Sequence, residues 1–235
     1  MLFNAVLFDL DGTLLPLDVE VFLQDYIKAV SAKVAPFTEP KTFVKQLLYA
    51  TEKMIADKNP DLTNEEVFWR HFLQGISEPH ETLIPVLDEF YEKDFAQLGE
   101  AYKGDGEAAE LIRQLKSKGK KVALATNAIF PRQAVVERIR WANLDPEDFE
   151  VITTFENMHF CKPHIEYYQE VLKHLGEEPE NCIMVGNDIE EDIVAGKLGM
   201  TTFLLDSNFV IDRGSKTPYD YRGDLNLLRK VLGLA

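Results

Sequence analysis

The sequence predicts an α/β fold, a doubly wound parallel sheet interrupted early by a small all-helical segment. Three observations carry that expectation. Five short, nearly continuous apolar runs have the character of strands buried on both faces. Stretches of helical periodicity alternate with the later runs, the pattern of successive βαβ units. Between the first run and the rest, from Leu17 to Leu98, the periodicity is helical only.

The first strand is read at Leu2 to Phe8 and leads directly into "DLDGT". Four helices follow, marked by Val19, Phe22, Tyr26 and Val30, by Phe43, Leu47 and Met54, by Phe68, Phe72 and Ile76, and by Leu87, Phe90, Tyr91 and Phe95. "APFTEP" and "DKNPDL" separate them. The aromatic residues of this segment, including Trp69, Phe72, Phe90 and Tyr91, are expected to form its own core. Alternation then resumes, with helices over 106–120, 131–144, 163–176 and 189–200 and strands over 121–126, 149–154, 181–186 and 201–206. Residues 206–224 read as a turn-rich surface segment before a short C-terminal helix. The expected division is a core of 1–16 and 100–235 and a helical cap of 17–99, inserted in the loop after Asp11.

With 235 residues and 46% hydrophobic content, the chain is long enough to bury a substantial core. Its 25 Lys and Arg against 40 Asp and Glu leave a formal charge of -15, which would repel a nucleic-acid backbone or an anionic membrane surface. A small anionic substrate held by local donors is compatible with that balance. Cys161 and Cys182 form no CxxC or mixed Cys/His pattern, and two isolated thiols suit a reducing compartment. The N-terminus lacks the features of a signal peptide and no apolar run is long enough to span a membrane, so the expected location is the cytoplasm. No motif marks an oligomeric interface.

Ligands of open parallel sheets bind outside the carboxyl ends of the strands. Reading those ends yields four clusters: Asp9 and Asp11, Thr126 and Asn127, Lys162-Pro163, and "GNDIEED" at 186–192. Two carboxylates as close as Asp9 and Asp11 repel each other unless a cation or a proton compensates them. Each cluster alone has a plain structural reading, as a turn, a helix cap, a lysine before a helix or an acidic helix start. Together, on one sheet, they make a site with a nucleophile, a hydroxyl, a cation and further carboxylates. Glu190 and Glu191 are read as solvated helix-start residues, Cys161 as a buried filler, Arg132 as a helix-surface cation near the site, and the five histidines show no ligand spacing.

The ordered set "DLDGT", "TN", "KP" and "GNDxxxD" resembles the haloacid dehalogenase superfamily, specifically its phosphatase-like members with a helical cap after the first motif. The likeness implies a Rossmann-like core and spans the whole chain. It further implies that Asp9 is the nucleophile that becomes an aspartyl phosphate and that Asp11 is the general acid and base. Thr126 and Asn127 would bind phosphate oxygens, and Lys162 would steady Asp9 and the transferring group. Mg2+ would be held by Asp9, the backbone carbonyl of Asp11 and Asp188, with Asp192 in support. Many relatives read Gly-Asp where this chain has Gly186-Asn187-Asp188, so either Asn187 or Asp188 can face the metal. Asp188 is preferred because a charged ligand binds Mg2+ better.

The implied activity is Mg2+-dependent hydrolysis of a small phosphorylated metabolite. Two alternatives are a phosphomutase of the same superfamily and a non-catalytic phosphate- or partner-binding protein on the same fold. Haloacid dehalogenation needs neither Mg2+ nor a second acid, and Asp11 argues against it. Phosphonate cleavage would require a cap lysine that no motif marks.

Overall fold

The computed structural model describes residues 3–104 and 106–234. Leu2, placed in the first expected strand, lies outside them. Six parallel strands, β1 (Ala5–Phe8), β2 (Lys121–Leu124), β3 (Val151–Ile152), β4 (Cys182–Gly186), β5 (Thr201–Leu205) and β6 (Tyr221–Gly223), lie in the order β3-β2-β1-β4-β5-β6. Chain direction across the sheet therefore reverses between β1 and β4, and a crevice opens there at the carboxyl ends. β1 and β4 are buried throughout, as their unbroken apolar runs require.

Helices α1 (Val19–Val34), α2 (Pro40–Ala56), α3 (Asn64–Gln74) and α4 (His80–Glu89) occupy the segment after β1, as the periodicity predicts. Local chemistry sets their starts. Asp18 accepts from the amides of Glu20 and Val21 ahead of α1, Glu39 caps α2 beside Pro40 at its first position, and Thr63 with Glu66 forms a capping box on α3. Beyond α4 the chain continues as a π-helical turn, Phe90–Asp94, and a 3-10 stretch, Phe95–Ala101. Helices α5 (Glu107–Ser117), α6 (Arg132–Trp141) and α7 (Ile165–Leu175) connect the sheet strands, and α8 (Leu225–Val231) ends the described chain.

Four details differ from the sequence reading. Residues 189–200 form turns and a short 3-10 stretch, Ile193–Leu198, because the Asp188 carboxylate takes the amides of Glu190 and Glu191 and so binds backbone that a helix would use otherwise. β3 is two residues long, ended by Asn157, which accepts from the Thr154 amide and donates to the Ile152 carbonyl. β6 arises within the stretch read as turns; it is an exposed edge strand without an apolar run to announce it. Finally, the aromatic residues of α1 and the 90–101 stretch share one continuous core with Phe130, Trp141 and Phe155 from the sheet side, so they do not form a separate one.

Candidate active site

β1 ends at Phe8, which makes Asp9 the first residue beyond it. Its amide donates to the Val185 carbonyl at 2.9 Å and fixes Asp9 in the crevice between β1 and β4. The chain then turns tightly: the Leu15 amide donates to the Leu10 carbonyl at 2.9 Å and the Gly12 amide to the Leu15 carbonyl at 2.8 Å. Gly12 has φ +84°, and a Cβ there would lie 2.3 Å from Asn187 Nδ2, so glycine is required twice over. The turn brings Asp11 back to the same crevice as Asp9.

Lys162 is 1% exposed, and its ammonium donates to Asp9 Oδ1 at 2.8 Å and to Asp192 Oδ1 at 2.6 Å. Burial alone would pull its pKa down; Asp192 and Asp9 outweigh that and hold it well above the ordinary lysine value. Asp192 also accepts the Asp188 amide at 2.9 Å, and a Cβ at Gly186 would lie 2.1 Å from its Oδ2. Thr126 follows β2. Its carbonyl accepts the hydroxyls of Thr153 and Tyr167, each at 2.7 Å, which sets the strand end rigidly. Asn127 bridges two clusters, accepting the Lys162 amide at 3.1 Å and donating to Glu191 Oε2 at 3.1 Å.

Asn187 and Asp188 part company. The Asn187 side chain accepts from the Thr13 hydroxyl at 2.9 Å and donates to the Phe209 carbonyl at 2.6 Å, stitching the β1 turn to the loop after β5. Asp188 accepts two amides at Oδ1 and Arg213 Nη1 at Oδ2, the latter at 2.7 Å. Asp11 is paired through Oδ2 with Arg138, and its Oδ1 has no partner. Burial raises the Asp11 carboxyl above the usual carboxylate range; Arg138 opposes this and the Asp9 charge adds to it.

Asp9, Asp11, Thr126, Asn127, Asn187, Asp188 and Asp192 thus line one cavity of about 250 Å3, and Lys162 joins them through Asp9 and Asp192. Two charged lining residues were not singled out from the sequence, Arg138 from α6 and Arg213 from the loop after β5, and a third, Glu191, was read as solvated. Glu191 is not the solvated residue expected; burial raises its pKa, and only its place after "GND" could have flagged it. Arg132 lines surface clefts elsewhere. Cys161 and Cys182 are free and buried, and burial pushes the Cys182 thiol up to about 12.

Among the described residues, no three or more His, Cys, Asp or Glu side chains form a ready-made metal cluster. The donor set nonetheless suits a divalent cation: the carboxyl groups of Asp9, Asp11, Asp188, Glu191 and Asp192 outnumber the cations Lys162, Arg138 and Arg213. All the acidic donors are oxygens, the chemistry Mg2+ prefers.

A crevice at the switch point of a parallel sheet, walled by paired carboxylates and a buried lysine, belongs to a known class of hydrolases. A family model of haloacid dehalogenase-like hydrolases matches residues 3–199, and the chain belongs to that family. It is 30% identical over 206 residues to pyrophosphatase PpaX of Bacillus cereus, covering 84% of this chain and 80% of the relative. Among solved structures it is similar to a phosphatase of this family from Thermococcus onnurineus, with TM-score 0.60, 22% identity and 98% of each chain covered. It is also similar to the hydrolase YfnB of Bacillus subtilis bound to magnesium, with TM-score 0.58, 20% identity and 99% and 100% of the two chains covered. The protein is an enzyme of the phosphatase type within this family. Among the described residues, no helix is long and apolar enough to cross a membrane.

Proposed function

We propose that the protein is a phosphomonoester hydrolase that works through an aspartyl phosphate at Asp9, with residues 17–99 acting as a cap domain over the crevice. The observation that carries this reading is the buried Lys162 ammonium held between Asp9 and Asp192, which line one cavity with Asp11, Thr126 and Asp188. Lys162 neutralises the nucleophile enough for an anionic phosphate to approach it, while the Thr126 hydroxyl and the Asn127 amide orient the phosphate oxygens. Asp9 attacks phosphorus; the P–O bond to the alcohol breaks, and Asp11 gives its proton to the leaving oxygen. Asp11 then takes a proton from the water that attacks the acyl phosphate, which releases inorganic phosphate and restores Asp9. The free Oδ1 of Asp11 is available for both transfers.

Mg2+ would be held by the Asp9 and Asp188 carboxylates and the Asp11 carbonyl, and when bound it would offset charge on the phosphate oxygens. Asp188 suits this role better than Asn187: both side chains are hydrogen-bonded, but the carboxylate offers a charged oxygen and the Asn187 amide a neutral one. The substrate is a small phosphorylated molecule of the cytoplasm, and the name of the PpaX relatives makes pyrophosphate one compound to test.

The test is inorganic phosphate release from a panel of phosphorylated compounds, pyrophosphate included, with Mg2+ and with a chelator. Turnover should require Mg2+ and fall at least about a thousandfold in Asp9→Asn, the scale of losing a nucleophile. Asp9→Asn activity close to that of the unmodified enzyme would remove Asp9 from the role. No release from any compound would turn attention to a phosphomutase or a binding protein.

A further inference from the structure

A second cavity, of about 330 Å3, lies between the helices of 17–99 and the loop after β2. It shares Leu23, Ile55, Ile129 and Phe130 with the wall of the cavity that holds Asp9, so the two cavities adjoin. Its composition is specific. Tyr26, Phe68, Trp69, Tyr91, Phe130 and Phe155 supply aromatic surface, and its charged lining residues are Glu65, Asp88 and Glu156, with no Lys or Arg among the described residues.

Both features bear on the leaving group. A second phosphate or a carboxylate there would meet three carboxylates and no compensating cation, which is unfavourable. A planar apolar group fits the aromatic walls. The carboxylates call for hydrogen-bond donors, and one of them is half satisfied: Glu156 accepts the Arg132 amide at Oε1 (2.8 Å), while its buried Oε2 has no partner. Burial and the Glu156 charge also raise the pKa of Glu65, as expected where two carboxylates share a site that lacks a cation.

We infer that this cavity receives the alcohol portion of the substrate, and that this portion is a planar, apolar ring carrying N–H donors, not a second anionic group. The inference rests on the hydrolase reading above and narrows its substrate class. It runs against pyrophosphate as the preferred substrate.

The experiment compares kcat/KM for phosphate release from 3-aminobenzyl phosphate, benzyl phosphate, phosphoglycolate and pyrophosphate, with equilibrium binding of 3-aminobenzyl alcohol followed by tryptophan fluorescence, since Trp69 lines the cavity. The expected order places both ring compounds above phosphoglycolate and pyrophosphate, each of which carries a second anionic group. The amino compound should lead benzyl phosphate by about tenfold, the worth of a hydrogen bond to a charged group. Glu156→Gln should reduce that lead. A preference for pyrophosphate or phosphoglycolate would overturn the inference and leave the hydrolase intact. Fluorescence-detected binding of the alcohol without any phosphate release would sustain the cavity assignment and defeat the hydrolase. Neither release nor binding would overturn both.

Discussion

Arg138 is the bulkiest of the fully buried side chains, and it is a charged one. Its guanidinium pairs with Asp11 and lies 4.5 Å from the Phe130 ring centroid and 5.6 Å from that of Phe22, with Nη2 left without a hydrogen bond. Asp11 therefore has a structural duty beside the chemical one proposed for it. Removing one partner of such a pair costs about 3–5 kcal/mol because the other charge remains buried, whereas replacing both can be nearly neutral. Asp11→Ala should accordingly lose stability on that scale in guanidinium unfolding, and Asp11→Ala with Arg138→Met should recover most of it. A single Asp11→Ala variant within about 1 kcal/mol of the parent would show that the pair does not matter to the fold. At this scale the sequence was informative where a side chain sits directly at a strand end, as Asp9, Thr126 and Asp188 do. Arg138 lies two turns into α6 and looks like any helix-surface cation until the helix is packed against the β1 turn.

The start of α3 is the clearest case of one element fastening others. Asn64 is 1% exposed; its side-chain amide donates to the carbonyls of Ala128 and Phe160 at 3.1 and 3.2 Å, and its backbone amide to Met158 at 2.8 Å. Ala128 follows Thr126-Asn127 and Phe160 precedes Lys162, so a helix of the 17–99 segment is tied to two of the catalytic loops. Asn64→Ala leaves two buried carbonyls without these donors, at about 1–3 kcal/mol. It should also lower kcat for phosphate release more than Thr63→Ala does, since the latter removes only a helix cap worth about 1 kcal/mol. Equal stability loss with identical kcat in the two variants would confine Asn64 to a capping role. The helix itself was legible from Phe68 and Phe72 at helical spacing. Its tie to the loops was not, because the partners of Asn64 are backbone carbonyls that leave no pattern in a sequence. The same reasoning covers β6, which exists by backbone pairing with β5 and has exposed side chains.

At the scale of the molecule, the order of motifs made the parallel sheet legible and the long helical gap made the insertion legible, but neither says how firmly the two parts adhere. The ring of Phe22, on α1, lies within 6.2 Å of the centroids of Phe95, Tyr102, Phe130 and Trp141, and Phe68 on α3 lies 6.2 Å from Phe155. These contacts merge the aromatic residues of 17–99 with those of α6 and the loops after β2 and β3 in one apolar cluster. Such a cluster has no internal boundary at which one part could melt before the other, so unfolding should be a single cooperative transition. Urea unfolding followed by far-UV circular dichroism, which sees both parts, and by tryptophan fluorescence, which sees Trp69 in α3 and Trp141 in α6, should give one midpoint. Phe22→Ala, at about 3–5 kcal/mol for a buried phenylalanine, should move both signals together. If instead the two midpoints separated in Phe22→Ala, the protein would unfold in more than one cooperative step. A single shared midpoint means that the insertion and the sheet share one stability, so any opening over Asp9 is a motion within one cooperative unit.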